Sequence, residues 1–418
     1  MKFTTKFNLL LTTLFLLNCS PKKDQILQID GTVVGTDTKS IILVKPNQDT
    51  RFDSLIEIPV IDGKFHYESK LEHPEAVDLF LTKELGRFMP LFLENEKIEL
   101  TIYSEDKFDK NTVEGGNLNA EYKKFTRNFE DTFNDRIKPL QDSIDKLSKN
   151  NEYFSDKAKL IYTELKEAKN QEAKIVIYKK LEALNKSGEN LKPKARKLED
   201  KKQPIYKEQK IYQENYIKNN PTIVSYSFLL NNLIYEKETI DINSAKNTFQ
   251  ILSKANPNHP YNELASNLIH AIENVKIGKK ITDFAAPDLN GNIIKFSEKI
   301  KGKITLLDLW ATWCGPCIAK SRTMVPVYNE YKDKGFTIIG VAGEFKNTDK
   351  LVRFLDKEKW EWLNLVELDR QNAIWEKYGI DRSGGALFLI NEEGIIIAKN
   401  PTAEEVKKIL QANSKQLF

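Results

Sequence analysis

Two of the three cysteines in this chain, Cys314 and Cys317, are separated by two residues and lie between two differently patterned segments. Residues 304–309 form an apolar run that predicts a buried strand, and residues 315–331 have the pattern of a helix. A helix N-terminus stabilises a thiolate through its dipole and its free backbone N–H groups. The arrangement therefore predicts an α/β domain with a reactive cysteine at the start of a helix.

The cysteine count and the charge balance exclude several classes of protein. Three cysteines are too few for a fold held together by disulfides, and a four-ligand zinc site needs two more ligands than the cysteine pair supplies. The 64 basic and 60 acidic residues give a net charge of +4, which argues against nucleic acid as a partner. No apolar run reaches the roughly 18 residues of a membrane-spanning helix.

The N-terminus has the pattern of an export signal followed by a cysteine. Lys2 and Lys6 precede an apolar stretch at residues 7–17, which suits the core of a signal peptide and is too short to span a bilayer. The segment Leu-Leu-Asn-Cys-Ser at residues 16–20 resembles a bacterial lipobox, and this resemblance implies lipidation of Cys19 and a membrane anchor. An ordinary cleaved signal peptide with an incidental cysteine is the alternative.

Length and patterning divide the chain into four parts. At 418 residues the chain is long enough for two to four domains. Apolar residues at every second position near residue 100, and an Asp62-Gly63 turn of the type I′ kind, predict a hairpin within a small β sandwich or open barrel. We expect a signal peptide, a mostly β module, an all-α region and an α/β domain at residues 1–19, 20–114, 115–277 and 278–418, respectively.

A long apolar stripe marks the central region. Aromatic and aliphatic residues recur at spacings of three and four from residue 122 to residue 147, which predicts one amphipathic helix with Pro139 as a kink. The stripe either packs against neighbouring helices, which is the interpretation we favour, or forms a coiled-coil face for a partner. Asn220 followed by Pro221 predicts the start of another helix.

The last part of the chain alternates between strand-like and helix-like segments, and it contains all five tryptophans. We predict strands at residues 304–309, 337–342, 387–390 and 395–398, and helices at residues 315–331, 349–358 and 403–411. This is a βαβ pattern followed by a terminal hairpin and helix.

The segment at residues 307–317, Leu-Asp-Leu-Trp-Ala-Thr-Trp-Cys-Gly-Pro-Cys, closely resembles the active site of the thioredoxin fold. Residues 281–302 resemble the N-terminal extension of the membrane-tethered TlpA/ResA subgroup. Residues 29–33, 62–65 and 115–119 resemble, more weakly, an uncharacterised module that precedes such domains in bacterial lipoproteins. The resemblance implies a C-terminal α/β thioredoxin-like fold and a redoxin that acts as a thiol-disulfide oxidoreductase without a cofactor.

The resemblance and the chemistry of thiols together assign roles within the motif. We expect Cys314 to be exposed beside Trp313 and to attack a substrate disulfide, while the less accessible Cys317 resolves the mixed disulfide. Gly315 and Pro316 flank the active site, and Pro316 suits the first turn of the helix because it needs no donor there.

Asp308 stands at the position of the buried carboxylate of thioredoxins. The resemblance implies that it accepts the proton of the resolving thiol. Burial would raise its pKa toward that role. The alternative is a carboxylate at the end of a strand that pairs with a backbone amide.

Three positions depart from the family pattern, one of them being Arg322, where the family has a helix-kinking proline. Aligning the strand at residues 387–390 places Gly385 where the family has a cis-proline that faces the cysteines. We expect a more flexible and less bulky wall there, open enough for a metal to approach the thiols. Lys320 replaces the glutamate of related envelope reductases, and its charge would favour a thiolate if the side chain points toward the site.

These features predict a lipid-anchored enzyme of the bacterial cell envelope, facing the periplasm, that acts on protein disulfides and needs an external thiol electron donor. The Gly-Pro pair between the cysteines matches thioredoxin and favours a reductant. An oxidase or isomerase that uses the same cysteines is one alternative, and an envelope binding or scaffold lipoprotein with a weak redox domain is another. A metal site and a structural disulfide are further alternatives for the cysteine pair, whereas Ala311 stands where a peroxidase would want a threonine.

Overall fold

The computed structural model describes residues 26–46, 48–51, 53–81, 86–169, 171–380 and 384–414. The predicted signal peptide and Cys19 therefore lie outside the described residues. A β-rich region, a helical region and an α/β region follow one another along the chain, so the predicted fold class is confirmed.

The β-rich region is built from short strands, namely β1 (Leu27–Val34), β2 (Ser40–Val44), β3 (Ile56–Pro59), β4 (Lys64–Ser69), β5 (Glu75–Phe80), β6 (Phe88–Leu93), β7 (Lys97–Tyr103) and β8 (Thr112–Glu114). In the described residues these strands form two four-stranded sheets, with the orders β4-β1-β7-β8 and β3-β2-β5-β6. Strand β1 pairs antiparallel with β4 and parallel with β7. The first strand of the module is thus an internal strand of its sheet.

Buried residues alternate with exposed ones along the strands, and the buried faces of the two sheets pack together in one apolar core. In β7, Ile98, Leu100 and Ile102 are buried and their neighbours are more exposed, as the spacing predicts. They belong to the same apolar cluster as Ile29 of β1 and Leu43 of β2, which lie in different sheets. The region is therefore a sandwich and not an open barrel.

The predicted turn is present, but the predicted hairpin is minimal. Asp62 and Gly63 have φ angles of 50° and 72°, which a type I′ turn requires at both central residues. The flanking residues Ile61 and Lys64 form an isolated bridge. Because β3 and β4 then enter different sheets, the two strands form no further ladder.

The helical region contains α1 (Asn117–Lys149), α2 (Asp156–Glu167), α3 (Gln171–Ser187), α4 (Pro193–Asn219), α5 (Ile223–Tyr235), α6 (Ile242–Ala255) and α7 (Tyr261–Asn274). Helix α1 runs as one element through Pro139. The prediction of a helix start at Asn220 is wrong by two residues. Asn220 ends α4 and Thr222 is the N-cap of α5, so Pro221 lies in the connection.

The aromatic stripe of α1 packs inside the protein. The ring of Phe125 lies 4.5 Å from that of Tyr216 on α4 and 4.6 Å from that of Phe228 on α5, measured between centroids. Phe133 meets Tyr212 edge to face at 5.7 Å. These contacts confirm the packing interpretation of the stripe. Within the part of the chain that the structure describes, no helix is both long and apolar enough to cross a membrane.

The α/β region contains β9 (Ala285–Pro287), β10 (Ile293–Lys295), α8 (Phe296–Lys299), β11 (Ile304–Trp310), α9 (Gly315–Tyr331), β12 (Phe336–Glu344), α10 (Asp349–Glu358), β13 (Leu363–Leu368), α11 (Ile374–Lys377), β14 (Ala386–Ile390), β15 (Ile396–Lys399) and α12 (Ala403–Ser414). Its main sheet has the order β13-β12-β11-β14-β15 in the described residues. Strands β11, β12 and β13 are parallel, and β14 runs antiparallel beside β11. The sequence analysis missed β13, β9 and β10.

The three regions share buried surfaces. Ala76 and Phe92 of the β module belong to the apolar core of the helical region, and the hydroxyl of Tyr261 on α7 accepts a hydrogen bond of 2.9 Å from the backbone N–H of Ala76. Ala271 and Val275, at the end of α7, belong to the core of the α/β region. The helical region is thus packed against both the β module and the α/β region.

Candidate active site

The cysteine pair lies where β11 ends and α9 begins. Cys314 is the N-cap of α9, Gly315 is its first residue, and Pro316 occupies its first turn. The two cysteines are joined by a disulfide, with their Cα atoms 5.3 Å apart. The backbone N–H of Cys317 donates to the sulfur of Cys314 at 3.3 Å. The predicted motif is therefore assembled at a helix N-terminus, where backbone donors and the dipole favour a negative sulfur.

Both sulfurs are covered, so the expected exposure of Cys314 is wrong. Cys314 is 5% exposed and Cys317 is 6% exposed. The cover comes in part from the segment before β14, because a Cβ atom placed on Gly384 would lie only 3.0 Å from the sulfur of Cys314. In the oxidised protein Cys314 is therefore less accessible than the sequence predicts.

Gly385 closes the wall beside the disulfide, which corrects the expectation of an open wall. Its backbone N–H donates to the sulfur of Cys317 at 3.1 Å. A Cβ atom at this position would lie 1.6 Å from the carbonyl oxygen of Leu309 and 3.2 Å from the sulfur of Cys317. Glycine is therefore needed here for the close approach of the backbone.

Asp308 is buried below the helix that carries the cysteines. It lies inside β11 and is 2% exposed. The hydroxyl of Ser321 lies 2.6 Å from Asp308 Oδ2 and 3.0 Å from the carbonyl oxygen of Cys317, so this hydroxyl links the carboxyl group to the first turn of α9. Sequence analysis did not identify Ser321, and its spacing of four residues from Cys317 is the one available signal.

Burial controls the protonation of Asp308. It raises the pKa of the carboxyl group to about 7, against the smaller lowering effects of the Ser321 hydrogen bond and the charge of Lys320. The ammonium group of Lys320 lies 3.3 Å from Asn400 Oδ1, and burial lowers the pKa of this lysine. Asp308 therefore changes charge near neutral pH.

Trp313, the residue before Cys314, is held by a hydrogen bond and by ring contacts. Its indole N–H donates to the carbonyl oxygen of Gly343 at 2.9 Å, and its ring lies 5.8 Å from that of Trp375 and 6.1 Å from that of Phe345. The preceding residue, Thr312, donates from its N–H and its hydroxyl to the carboxylate of Glu344 at 2.7 and 2.8 Å.

Glu344 is a site residue that sequence analysis missed. It is 4% exposed at the end of β12, and burial raises its pKa. The one available signal in the sequence is a glutamate at the end of an apolar strand, here the strand that pairs with β11. Glu344 anchors the loop that leads into Cys314. Within the described ranges, no group of three or more His, Cys, Asp or Glu side chains is arranged to hold a metal ion.

Known families and proteins resemble two parts of this chain, the β module and the region that carries the cysteines. The family model described as the AhpC/TSA family matches residues 277–399, and a domain of unknown function, DUF4369, matches residues 27–122. Thiol-disulfide oxidoreductase ResA from Bacillus thuringiensis subsp. konkukian is 31% identical over 145 residues, which cover 35% of this chain and 80% of that protein. The chain belongs to the ResA family of thiol-disulfide oxidoreductases.

Two further proteins are similar to this ResA-family chain. ResA from Halalkalibacterium halodurans is 33% identical over 123 residues, which cover 29% of this chain and 66% of that protein. The solved thioredoxin domain of a thiol-disulfide oxidoreductase from Bacteroides vulgatus is 27% identical and has a TM-score of 0.30, covering 33% of this chain and 96% of that one. In this ResA-family enzyme the β module and the helices precede the redox domain.

Substituting Gly385 tests the close approach of the backbone to the disulfide. We expect Gly385→Ala to lower the free energy of unfolding by about 1–3 kcal/mol, because the new methyl group overlaps the carbonyl oxygen of Leu309. Gly315→Ala is the matched control beside the same cysteines, since no atom outside its chain neighbours and its own turn of helix lies within 4 Å of the added Cβ atom. Urea denaturation of the oxidised proteins measures both. Equal stability of the two variants would contradict this account of Gly385.

Removing the ionisable group at Asp308 tests its raised pKa. A carboxyl group whose pKa is raised on folding favours the folded state most at low pH, and this contribution is lost as the pH rises toward about 7. We expect the stability of Asp308→Asn relative to the wild type to increase between pH 5 and pH 8, by on the order of 2–3 kcal/mol. Urea denaturation at both pH values measures this difference.

Asp288→Asn is the control for this pH series. Asp288 is partly exposed, and hydrogen bonds, first of all the one from the Asn292 side chain, lower its pKa. It therefore stays ionised from pH 5 to pH 8, and the difference between this variant and the wild type should be constant. A constant difference for Asp308→Asn as well would show that Asp308 titrates normally.

Proposed function

We propose that this thiol-disulfide oxidoreductase reduces disulfides in protein substrates, with Cys314 as the attacking thiolate and Cys317 as the resolving thiol. The observation that carries the proposal is the position of Cys314 at the N-cap of α9, with the N–H of Cys317 directed at its sulfur from 3.3 Å. In the reduced protein this N–H and the helix dipole favour the thiolate of Cys314 over its thiol. The thiolate is the form that attacks a disulfide.

The exchange proceeds in two displacements. The Cys314 thiolate attacks one sulfur of the substrate disulfide, and the other substrate sulfur leaves as a thiolate that takes up a proton. Cys317 then attacks the sulfur of Cys314 in the mixed disulfide, and the second substrate sulfur leaves. The substrate gains two electrons and two protons, and the protein is left with the Cys314–Cys317 disulfide.

Two neighbouring groups support the second displacement. The backbone N–H of Gly385 lies 3.1 Å from the sulfur of Cys317 and stabilises negative charge on it when the thiol is deprotonated. Asp308, through its contact with Ser321, lies next to the same turn of the helix and accepts the thiol proton directly or through water. Its pKa of about 7 suits proton transfer near neutral pH.

We also propose where the reaction takes place and how the active-site disulfide is reduced again after each turnover. The lipobox-like segment that ends at Cys19 supports a lipid anchor in the bacterial cell envelope, with residues 20–114, 115–277 and 278–418 as β module, helical region and redox domain on the periplasmic side. After each turnover the disulfide has to be reduced again. An external thiol donor, itself oxidised to a disulfide, supplies the two electrons.

A trapping experiment tests the assignment of the two cysteines. We expect reduced Cys317→Ser, mixed with oxidised insulin, to accumulate a mixed disulfide through Cys314, because the resolving thiol is missing. Cys314→Ser, which retains Cys317 and Cys19, is the control and should form less than about a tenth as much adduct. Mass spectrometry under non-reducing conditions measures both. Equal trapping by the two variants would contradict the assigned roles.

The reduction potential of the cysteine pair tests the direction of electron flow. For a reductant we expect a value of about −270 mV or lower, as for thioredoxin. Equilibration of the full chain in thiol buffers, followed by alkylation and mass spectrometry, gives this potential. A value of about −120 mV would make the protein an oxidant, and failure of the two thiols to form a disulfide in any buffer would leave the scaffold function instead.

A further inference from the structure

Residues in the connection between β2 and β3 of the β module contact the redox domain. Asp49, in this connection, is 1% exposed. It accepts hydrogen bonds from Arg51 Nε to Oδ1 at 2.9 Å and from Arg51 Nη2 to Oδ2 at 2.7 Å. This two-pronged contact holds the guanidinium plane of Arg51 in a fixed orientation.

The same carboxylate is also bound from the redox domain. Arg370, which follows β13, donates from Nη2 to Asp49 Oδ2 at 3.3 Å, and its Nη1 lies 3.6 Å from Oδ2 of Asp53. Burial acts to raise the pKa of Asp49, but the hydrogen bonds and charge of Arg51, with the charge of Arg370, outweigh it and lower the pKa. Asp49 is therefore an ionised, buried group that joins two arginines 319 positions apart in the chain.

Both arginines lie on aromatic rings at the redox site. The guanidinium carbon of Arg51 lies 4.7 Å from the centroid of the Trp313 ring, and that of Arg370 lies 5.6 Å from the Phe345 ring. Trp313 and Phe345 lie next to each other. The β module thus places a permanent cation on the indole of the residue that immediately precedes Cys314.

We propose that Arg51 is a positioning residue of the redox site, which fixes the indole of Trp313 beside Cys314 for the docking of protein disulfides. Asp49 sets the plane of Arg51, and Arg370 ties Asp49 to the redox domain. The β module is then part of the surface that a substrate protein meets. A surface that is already ordered loses less conformational freedom when a protein segment docks on it.

This inference rests on the proposed reduction of protein disulfides and makes a specific kinetic prediction. Arg51→Met removes the charge and the two-pronged contact but keeps a side chain of similar length. We expect its KM for insulin, with dithiothreitol as the electron donor, to rise about threefold or more. The rate at which dithiothreitol itself reduces the Cys314–Cys317 disulfide should stay within about twofold of the wild type, because this small molecule needs no docking surface.

Two other arginines complete the design. Arg370→Met removes the support of Asp49 from the opposite side and should raise KM in the same direction. Arg136→Met is the matched control, because Arg136 also forms a two-pronged pair, with Glu208, and its side chain has the same 47% exposure as that of Arg51. Arg136 joins α1 to α4, away from the cysteines, so its loss should change neither quantity.

A spectroscopic readout separates this inference from the proposed function. With fluorinated tryptophan incorporated, the resonance of Trp313, assigned with Trp313→Phe, should shift or broaden in Arg51→Met and not in Arg136→Met. If this happens while the wild type fails to reduce insulin, the proposed function fails and the positioning role stands. An unchanged Trp313 resonance, an unchanged KM with a wild type that does reduce insulin, or a parallel fall in the dithiothreitol rate would overturn the inference.

Discussion

The complete burial of strand β11 is the constraint on which the rest of the site depends. All seven of its residues are buried, and it pairs with β12 on one side and β14 on the other. This one strand holds Asp308 below α9, delivers the chain to Cys314, and presents the carbonyl oxygen of Leu309 against which Gly385 packs. Positions of sulfur, carboxyl group and covering backbone are therefore set by a single rigid element.

Two buried carboxyl groups, Asp308 and Asp49, differ in protonation because their neighbours differ. Asp308 has a hydroxyl for a partner and a distant lysine charge, so burial raises its pKa to about 7. Asp49 is also nearly inaccessible to solvent, but two arginines keep it ionised. The first group is suited to moving a proton, and the second is suited to fixing the orientation of other side chains.

Much of the redox domain follows from local patterns in the sequence. The ends of α9 and α10 agree with the prediction, because apolar spacing and the N-terminal Cys-Gly-Pro-Cys segment are short-range signals. The cysteine positions and the burial of Asp308 follow from the same signals. The helix start at Asn220 was displaced because a cap residue at the end of one helix resembles a cap at the start of the next.

The remaining features depend on contacts between distant parts of the chain. A glycine can provide either a flexible backbone or room for close approach, and the sequence does not distinguish the two. The position of the Leu309 carbonyl oxygen shows that Gly385 allows close approach. The burial of Cys314 depends on the same segment. Asp49 and Arg370 are 321 residues apart, and no spacing rule in one sequence connects charges at such a distance.

The parallel pairing of β1 with β7 has a consequence for the order in which the chain folds. Residues 28–34 align with residues 97–103, so the first strand gains this neighbour only after about 70 further residues are available. The ladder between β1 and β4 closes earlier but leaves the other edge of β1 unpaired. During synthesis the module therefore leaves one edge of β1 unpaired until β7 has emerged, and an unpaired strand edge is open to pairing with another chain.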